Sequence, residues 1–149
     1  MRILLLNGPN LGTLGRRQPE IYGSMTLDEI VAACREHAAE RGAELDDLQS
    51  NHEGALIDRL EAGGFEAVIC NFGALSHTSY ALHDALLAAD RPAVEVHISD
   101  ITIREPWRRV SVTAPATQHQ VIGRGWRGYL EAIDWLVDIS TEAERSKAT

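Results

Sequence analysis

The sequence predicts a single α/β domain in which helices cover both faces of a five-stranded parallel sheet. Short apolar segments alternate along the chain with longer segments of helical periodicity. The strand candidates are too apolar to have one face in water, which is typical of parallel sheets buried between helices. Because crossovers between parallel strands are right-handed, we expect a doubly wound, flavodoxin-like sheet with strand order 2-1-3-4-5.

Five strands are predicted from apolar runs and the turn residues that bound them. They cover residues 2–7, 43–49, 67–71, 93–98 and 120–122. The third is apolar almost throughout, as a central strand should be, whereas the second gives the weakest signal. All of them are short enough to be strands of an ordinary globular domain.

Four helices are predicted between and after these strands, over residues 26–41, 53–62, 78–89 and 126–139. The first has the clearest start, because Thr26 followed by Glu29 forms a capping box. Gly42 then provides a stop signal. Residues 1–140 are therefore expected to form one catalytic domain, and the polar segment 141–149 is expected to be a frayed tail.

Composition argues against several classes of function. The formal net charge of −8 argues against nucleic acid or an anionic membrane as a partner, since both bind a basic face. No apolar run suits a membrane span or a signal peptide. Cys34 and Cys70 both lie in apolar segments without the spacing of a metal site. They are expected to be buried free thiols of a cytoplasmic protein that binds no metal.

The basic residues restrict the chemistry further. All but one of the 14 are arginines, and the single lysine, Lys147, lies in the polar tail. Imine chemistry needs a desolvated lysine amine in a pocket. A reaction at a carbonyl group is therefore predicted to proceed without a Schiff base.

A long loop rich in glycine and proline, residues 7–23, follows the first strand. A loop of this length in a compact domain is usually a lid or a binding loop. It carries Arg17 and Tyr22. Free tyrosine ionises near pH ~10, and a neighbouring guanidinium favours the phenolate. The pair is a candidate base, although a surface tyrosine in a lid is the alternative interpretation.

Glu95 and His97 form a second candidate pair at the end of the fourth strand. Residues two apart in a strand share a face. The carboxylate can therefore accept a hydrogen bond from one imidazole nitrogen and leave the other to transfer a proton. A partly buried ion pair at a strand end is the alternative.

Other polar groups follow the carboxyl ends of the predicted strands, where ligands bind in doubly wound sheets. Arginine suits an anion, and free backbone amides suit a carboxylate. These features predict a site for a small anion, although His77 is equally a helix-capping candidate and arginines also occur on solvated surfaces. The candidates are Asn10, Asn71, His77, Arg108 and the amides of Ile98 and Ser99.

Residues 123–128 match Gly-x-Gly-x-x-Gly, the dinucleotide fingerprint. Too few residues follow for the next strand and the acidic residue that would hold a ribose. The glycines are therefore expected to allow close packing of the last strand and the last helix, and no cofactor is predicted there.

Taken together, these motifs resemble those of the type II 3-dehydroquinate dehydratases. Four blocks carry the resemblance in the family's order: residues 7–22, 71–84, 95–109 and 123–129. The resemblance implies a flavodoxin-like fold, a homo-oligomer that is a dodecamer of four trimers, and no metal or cofactor. The implied reaction is the anti elimination of water from 3-dehydroquinate, through an enolate, to give 3-dehydroshikimate in aromatic biosynthesis or quinate breakdown.

The resemblance also implies a role for each candidate residue. Tyr22 would take the C2 proton, with Arg17 keeping it a phenolate, and Asn10 would hold the water that stabilises the enolate. His97, oriented by Glu95, would protonate the departing C1 hydroxyl. The implied substrate contacts are Ile98 and Ser99 for the carboxylate, Asn71, His77 and Arg108 for the ring hydroxyls, and Asp84 in a neighbouring subunit's site.

The chain departs from the family pattern in two places. In the first, Asp100 replaces the usual asparagine and puts a carboxylate beside the expected carboxylate site, and Thr102-Ile103 replace the common His-Ala. In the second, residues 118–120 are more polar than the family's last strand. Two other functions remain open. One is a flavodoxin-like module that binds a flavin or nucleotide, and the other is a relative that acts on another hydroxy-ketone acid or is not catalytic.

Overall fold

The computed structural model describes all 149 residues and contains one five-stranded parallel sheet. Its strand order, β2-β1-β3-β4-β5, confirms the predicted doubly wound topology. The first and third strands have the predicted bounds, and the others differ from prediction by one residue at one end. The strands are β1 (Arg2–Asn7), β2 (Glu44–Gln49), β3 (Ala67–Asn71), β4 (Ala93–His97) and β5 (His119–Ile122).

Five helices and five short 3-10 segments connect and flank the strands. The capping box at Thr26 is present, since its hydroxyl accepts from the Glu29 N–H and the Glu29 side chain accepts from the Thr26 N–H. None of the helices combines the length and apolar character that a bilayer span requires. The helices are α1 (Pro19–Tyr22), α2 (Leu27–Glu40), α3 (Glu53–Ala62), α4 (Tyr80–Ala89) and α5 (Arg127–Ala148).

Two predicted helix bounds were wrong by two residues or more. The helix expected from residue 78 begins at Tyr80, because Ser79 caps it by accepting from the Leu82 N–H, and Gly73–His77 form a 3-10 segment before it. The last helix was expected to end at Ile139 and to leave a frayed tail. It continues to Ala148, because no glycine or proline interrupts the polar segment.

The core lies in two layers, one on each face of the sheet. In β1, Ile3 and Leu5 pack towards α2 and α5, while Leu4 and Leu6 pack towards α3 and α4. All four side chains are fully buried. This explains why the strand is continuously apolar, since successive side chains point to opposite covered faces.

In the glycine motif after β5, the last glycine, Gly128, allows close packing. A Cβ on Gly128 would lie 3.3 Å from Val121 Cγ1 and 3.4 Å from Val96 Cγ1. The start of α5 therefore approaches β4 and β5 more closely than a larger residue would allow, as the sequence indicated.

Gly8 allows the first loop to lie directly against the backbone of Phe72. Replacing Gly8 therefore gives a stability prediction. Its N–H donates to Asn71 O at 2.8 Å, and an added Cβ would lie 2.4 Å from the backbone oxygen of Phe72. We expect Gly8→Ala to lower the free energy of unfolding by at least about 1–3 kcal/mol, because backbone atoms must move. Chemical denaturation measures this loss.

Gly54→Ala is the matched control for this substitution. Gly54 lies in α3, and an added Cβ there would have no atom within 4 Å. Since alanine is the better helix former, this variant should be as stable as the parent or slightly more stable. An unchanged denaturation midpoint for Gly8→Ala would contradict the packing argument.

Candidate active site

A cavity of about 140 Å³ opens at the carboxyl ends of β1, β3 and β4. The strand register explains why residues from distant parts of the chain meet there, since Asn7 of β1 pairs with Asn71 of β3. No cluster of His, Cys, Asp or Glu side chains is placed to hold a metal ion. Nine sequence-predicted residues line the cavity: Asn10, Arg17, Tyr22, Asn71, His77, His97, Ile98, Ser99 and Arg108.

Glu95 lies directly behind His97 rather than in the cavity wall. His97 Nε2 is 2.9 Å from Glu95 Oε2, and the two side chains are 5% and 0% exposed. Burial by itself raises the pKa of the Glu95 carboxyl, but the hydrogen bond and charge of His97 and the hydrogen bond from Thr113 outweigh it and hold the pKa below its ordinary value. An ionised Glu95 accepts from Nε2–H and leaves Nδ1 of His97 for another partner.

Tyr22, at the end of α1, is contacted by two guanidinium groups. Arg17 lies over its ring, with 4.9 Å between the guanidinium carbon and the ring centroid. The direct hydrogen bond to the phenol oxygen comes from Arg104, whose Nη1 donates at 2.7 Å. One guanidinium therefore lies against the face of the ring and the other against the phenol oxygen.

Arg104 is a site residue that the sequence analysis missed. Its side chain is 13% exposed, and its Nη1 also donates to Ser99 Oγ at 3.2 Å. The only available signal was its place among three arginines after the fourth strand. Nothing in the sequence distinguished it from Arg108 or Arg109.

Tyr129 is a second residue that the sequence analysis did not assign to the site, and it holds the side chain of Asn71. Asn71 Nδ2 donates to the Tyr129 hydroxyl at 2.9 Å, and that hydroxyl donates to Asn7 Oδ1 at 2.6 Å. Asn71 Oδ1 also accepts from the Gly73 N–H. Complete burial raises the pKa of Tyr129 above its ordinary value, so the phenol stays protonated and remains a donor.

His77 lies in the 3-10 segment and does not cap α4, because Ser79 does. Its Nδ1 is 2.8 Å from the Val110 carbonyl, which can only accept, so Nδ1 carries the hydrogen and Nε2 is an acceptor. Burial lowers the pKa of His77. The hydrogen bond to Val110 opposes this shift, whereas the charges of His97 and Arg108 reinforce it.

The two departures from the family pattern have local explanations. Asp100 does not line the cavity; its Oδ1 accepts from the Thr102 N–H at 3.0 Å and from the Thr102 hydroxyl, which lowers the pKa of this carboxyl. Residues 119 and 120 of the polar segment 118–120 still lie in β5, which is an edge strand paired only with β4. His119 stacks on Trp135, with ring centroids 5.0 Å apart.

Asp84 is the one predicted site residue that lies away from this chain's own cavity. It occupies the outer face of α4, where its side chain is 81% exposed and 3.2 Å from His83 Nδ1. Its expected contribution to a neighbouring subunit stays a prediction.

Comparisons with known proteins give a consistent result. A family model described as "Dehydroquinase class II" matches residues 1–137. The 3-dehydroquinate dehydratase of Roseiflexus castenholzii is 55% identical over 139 residues, which is 92% of this chain and 88% of that protein. Catabolic 3-dehydroquinase 1 of Neosartorya fischeri is 47% identical over 134 residues, or 89% of each chain. The crystal structure of type II dehydroquinase from Butyrivibrio crossotus superimposes with a TM-score of 0.89 and 41% identity, covering 91% of this chain and 97% of that one.

Proposed function

The chain belongs to the class II dehydroquinase family, and on this basis we propose that it is a hydro-lyase that converts 3-dehydroquinate to 3-dehydroshikimate. One observation carries the proposal beyond family membership. A phenol contacted by two arginines and an imidazole held by a buried carboxylate line the same small cavity. This is a base and an acid around one ligand site, which is what an elimination of water requires.

In the first step Tyr22, as a phenolate, removes the C2 proton of the substrate. The proton lies next to a ketone, so a moderate base is sufficient if the enolate is stabilised. The guanidinium groups of Arg17 and Arg104 support the phenolate. Asn10 would hold a water molecule against the enolate oxygen. In support of this role, its side chain makes no hydrogen bond within the protein, and its backbone φ of 69° is left-handed, a conformation that asparagine tolerates.

In the second step His97 protonates the departing C1 hydroxyl. The electrons of the enolate form the C1–C2 double bond as the C1–O bond breaks, and the hydroxyl leaves as water. Hydroxide is a poor leaving group, so the proton from His97 is essential to this step. The carboxylate of Glu95 stabilises the imidazolium form that supplies it.

Two backbone amides support the proposed carboxylate site. Neither the Ile98 nor the Ser99 N–H donates a hydrogen bond within the protein, although both residues line the cavity. Such free amides at the edge of a sheet suit an anion. Asn71, neutral His77 and Arg108 would then hold the ring hydroxyls.

An ultraviolet assay tests the proposal directly. The purified protein is mixed with 3-dehydroquinate, and we expect absorbance from the conjugated enone product to rise. No rise with folded protein would overturn the proposal, and turnover of a different hydroxy-ketone acid would redirect it. A flavin-binding module would instead be coloured before any substrate is added.

We further propose that this cytoplasmic enzyme works as a homo-oligomer, a dodecamer of four trimers, in which Asp84 enters a neighbouring site. The outer face of α4 supports this arrangement, because Tyr80 and Leu87 flank Asp84 at helical spacing and are 69% and 54% exposed. Exposed apolar side chains on one face favour contact with another protein surface.

Subunit complementation tests the role of Asp84. Asp84→Ala and Tyr22→Phe should each be nearly inactive alone. In co-refolded mixed oligomers, roughly a quarter of the sites would combine an intact Tyr22 with an intact Asp84 from the neighbour, if the subunits mix at random. We expect activity to return in the mixture. Native mass measurement gives the assembly size, and no recovery in mixed oligomers would contradict the shared site.

A further inference from the structure

A buried threonine, Thr113, lies behind the Glu95–His97 pair and has no role in the steps described above. Its side chain is fully buried, just before a short 3-10 segment that leads to β5. Its hydroxyl donates to Glu95 Oε1, whereas His97 contacts Oε2. The two carboxylate oxygens of Glu95 therefore have different donors.

The number of available hydrogens defines the direction of this contact. An ionised carboxylate only accepts, and a threonine hydroxyl carries one hydrogen. The hydrogen of Thr113 must therefore point to Glu95, and its oxygen can only accept from elsewhere. Ser111 Oγ lies 3.2 Å from Thr113 Oγ1 and itself accepts from the Ala114 N–H at 3.0 Å. The single hydrogen of Ser111 has two acceptors at 3.2 Å, Thr113 Oγ1 and Ser76 O.

We propose that Thr113 is a positioning residue for the acid His97, acting through Glu95. The inference rests on the proposed dehydration, in which His97 gives a proton to the leaving hydroxyl. A carboxylate with no solvent exposure stays ionised only if hydrogen-bond donors replace water. Thr113 supplies such a donor to Oε1. It thereby keeps Glu95 an acceptor for Nε2–H and keeps Nδ1 of His97 available to the cavity.

No other group around Glu95 supplies a fixed positive charge in place of this donor. Cys70 on the adjacent β3 has a pKa raised well above its ordinary value by burial, so it is a neutral thiol. Burial lowers the pKa of His77, the other nearby imidazole. The neighbour of Glu95 on β5 is Gln120, which is uncharged. The ionisation of Glu95 therefore depends on His97, through its hydrogen bond and its charge, and on the hydrogen bond from Thr113.

Thr113→Val removes the hydroxyl with little change of volume and is the decisive variant. We expect kcat to fall about tenfold to a hundredfold, the usual effect of losing a hydrogen bond to a charged group, with KM nearly unchanged. The pKa of Glu95 should rise, so the low-pH limb of the kcat profile should move to higher pH. Thr113→Ser keeps a hydroxyl and should restore most of the rate.

Thr117→Val is the matched control. It removes a hydroxyl that donates to Ala114 O at 2.7 Å in the same segment, away from Glu95, and should keep both kcat and the pH profile. Thermal unfolding shows whether each variant is folded. If Thr113→Val retains the parental pH limb, or if Thr113→Ser fails to restore the rate in folded protein, the inference is overturned.

A readout that does not depend on turnover separates this inference from the proposed function. In protein labelled with ¹⁵N-histidine, Thr113→Val should change the ¹⁵N chemical shifts and the tautomer balance of His97 relative to the parent, and Thr117→Val should not. If the parent protein fails to dehydrate 3-dehydroquinate, the proposed function fails, and the spectra still decide whether Thr113 acts on this pair. Identical His97 signals in parent and Thr113→Val would refute the inference.

Discussion

Replacing Tyr22 with phenylalanine should lower kcat for 3-dehydroquinate by about 10²–10⁴-fold, the usual contribution of a general base. The ring and its packing under Arg17 are kept, so only the oxygen that takes the C2 proton is lost. Because the remaining cavity wall is intact, we expect substrate affinity to change only a few-fold. The enone assay measures kcat, and calorimetric titration measures binding.

Thr117→Val is the control for this substitution. The Thr117 hydroxyl donates to Ala114 O at 2.7 Å, away from the cavity, so its loss should leave turnover unchanged. Hydrogen exchange gives a second test of the base, because Tyr22→Phe should also stop exchange of the C2 hydrogen with deuterated water. Substantial turnover or continued exchange in Tyr22→Phe would remove Tyr22 from the role of base.

His97→Ala should also reduce kcat by about 10²–10⁴-fold, because the hydroxyl would then leave without a proton donor. The loss also leaves the buried Glu95 without its main partner, so the low-pH limb assigned to this pair should disappear from the profile. Exchange of the C2 hydrogen should continue, since Tyr22 is still present. This pattern distinguishes the acid from the base.

His52→Ala provides the comparison for the loss of an imidazole. His52 is exposed before α3, and its side chain makes no capping hydrogen bond. The activity and pH profile of His52→Ala should therefore match those of the parent protein. If His97→Ala keeps most of the parental rate, another group must protonate the leaving hydroxyl. His77 would then be the nearest alternative, since its ring stacks on His97 with centroids 6.1 Å apart.

The strand order and most element bounds were predictable because they follow from local patterns and general rules of chain handedness. The capping box at Thr26 and the apolar runs of β1 and β3 are features of neighbouring residues. The start of α4 was not predictable in this way. The 3-10 segment before it depends on contacts with a distant loop, such as the hydrogen bond from Val112 N–H to Ser76 O at 2.7 Å. Boundaries shift where tertiary hydrogen bonds compete with local propensity.

Within the site, the sequence by itself determined the pair that lies on one strand. Glu95 and His97 are two residues apart, and the period of a β-strand places them on the same face. The carboxyl ends of the strands likewise had to collect the polar residues that follow them.

Only the tertiary structure decided which distant groups contact those residues. Arg104 reaches Tyr22 across 82 residues of sequence, and Tyr129 reaches Asn7 across 122. Thr113 reaches Glu95 from a loop with no regular period. Such contacts depend on how loops fold back over the sheet, and side-chain spacing along the chain carries no information about that path.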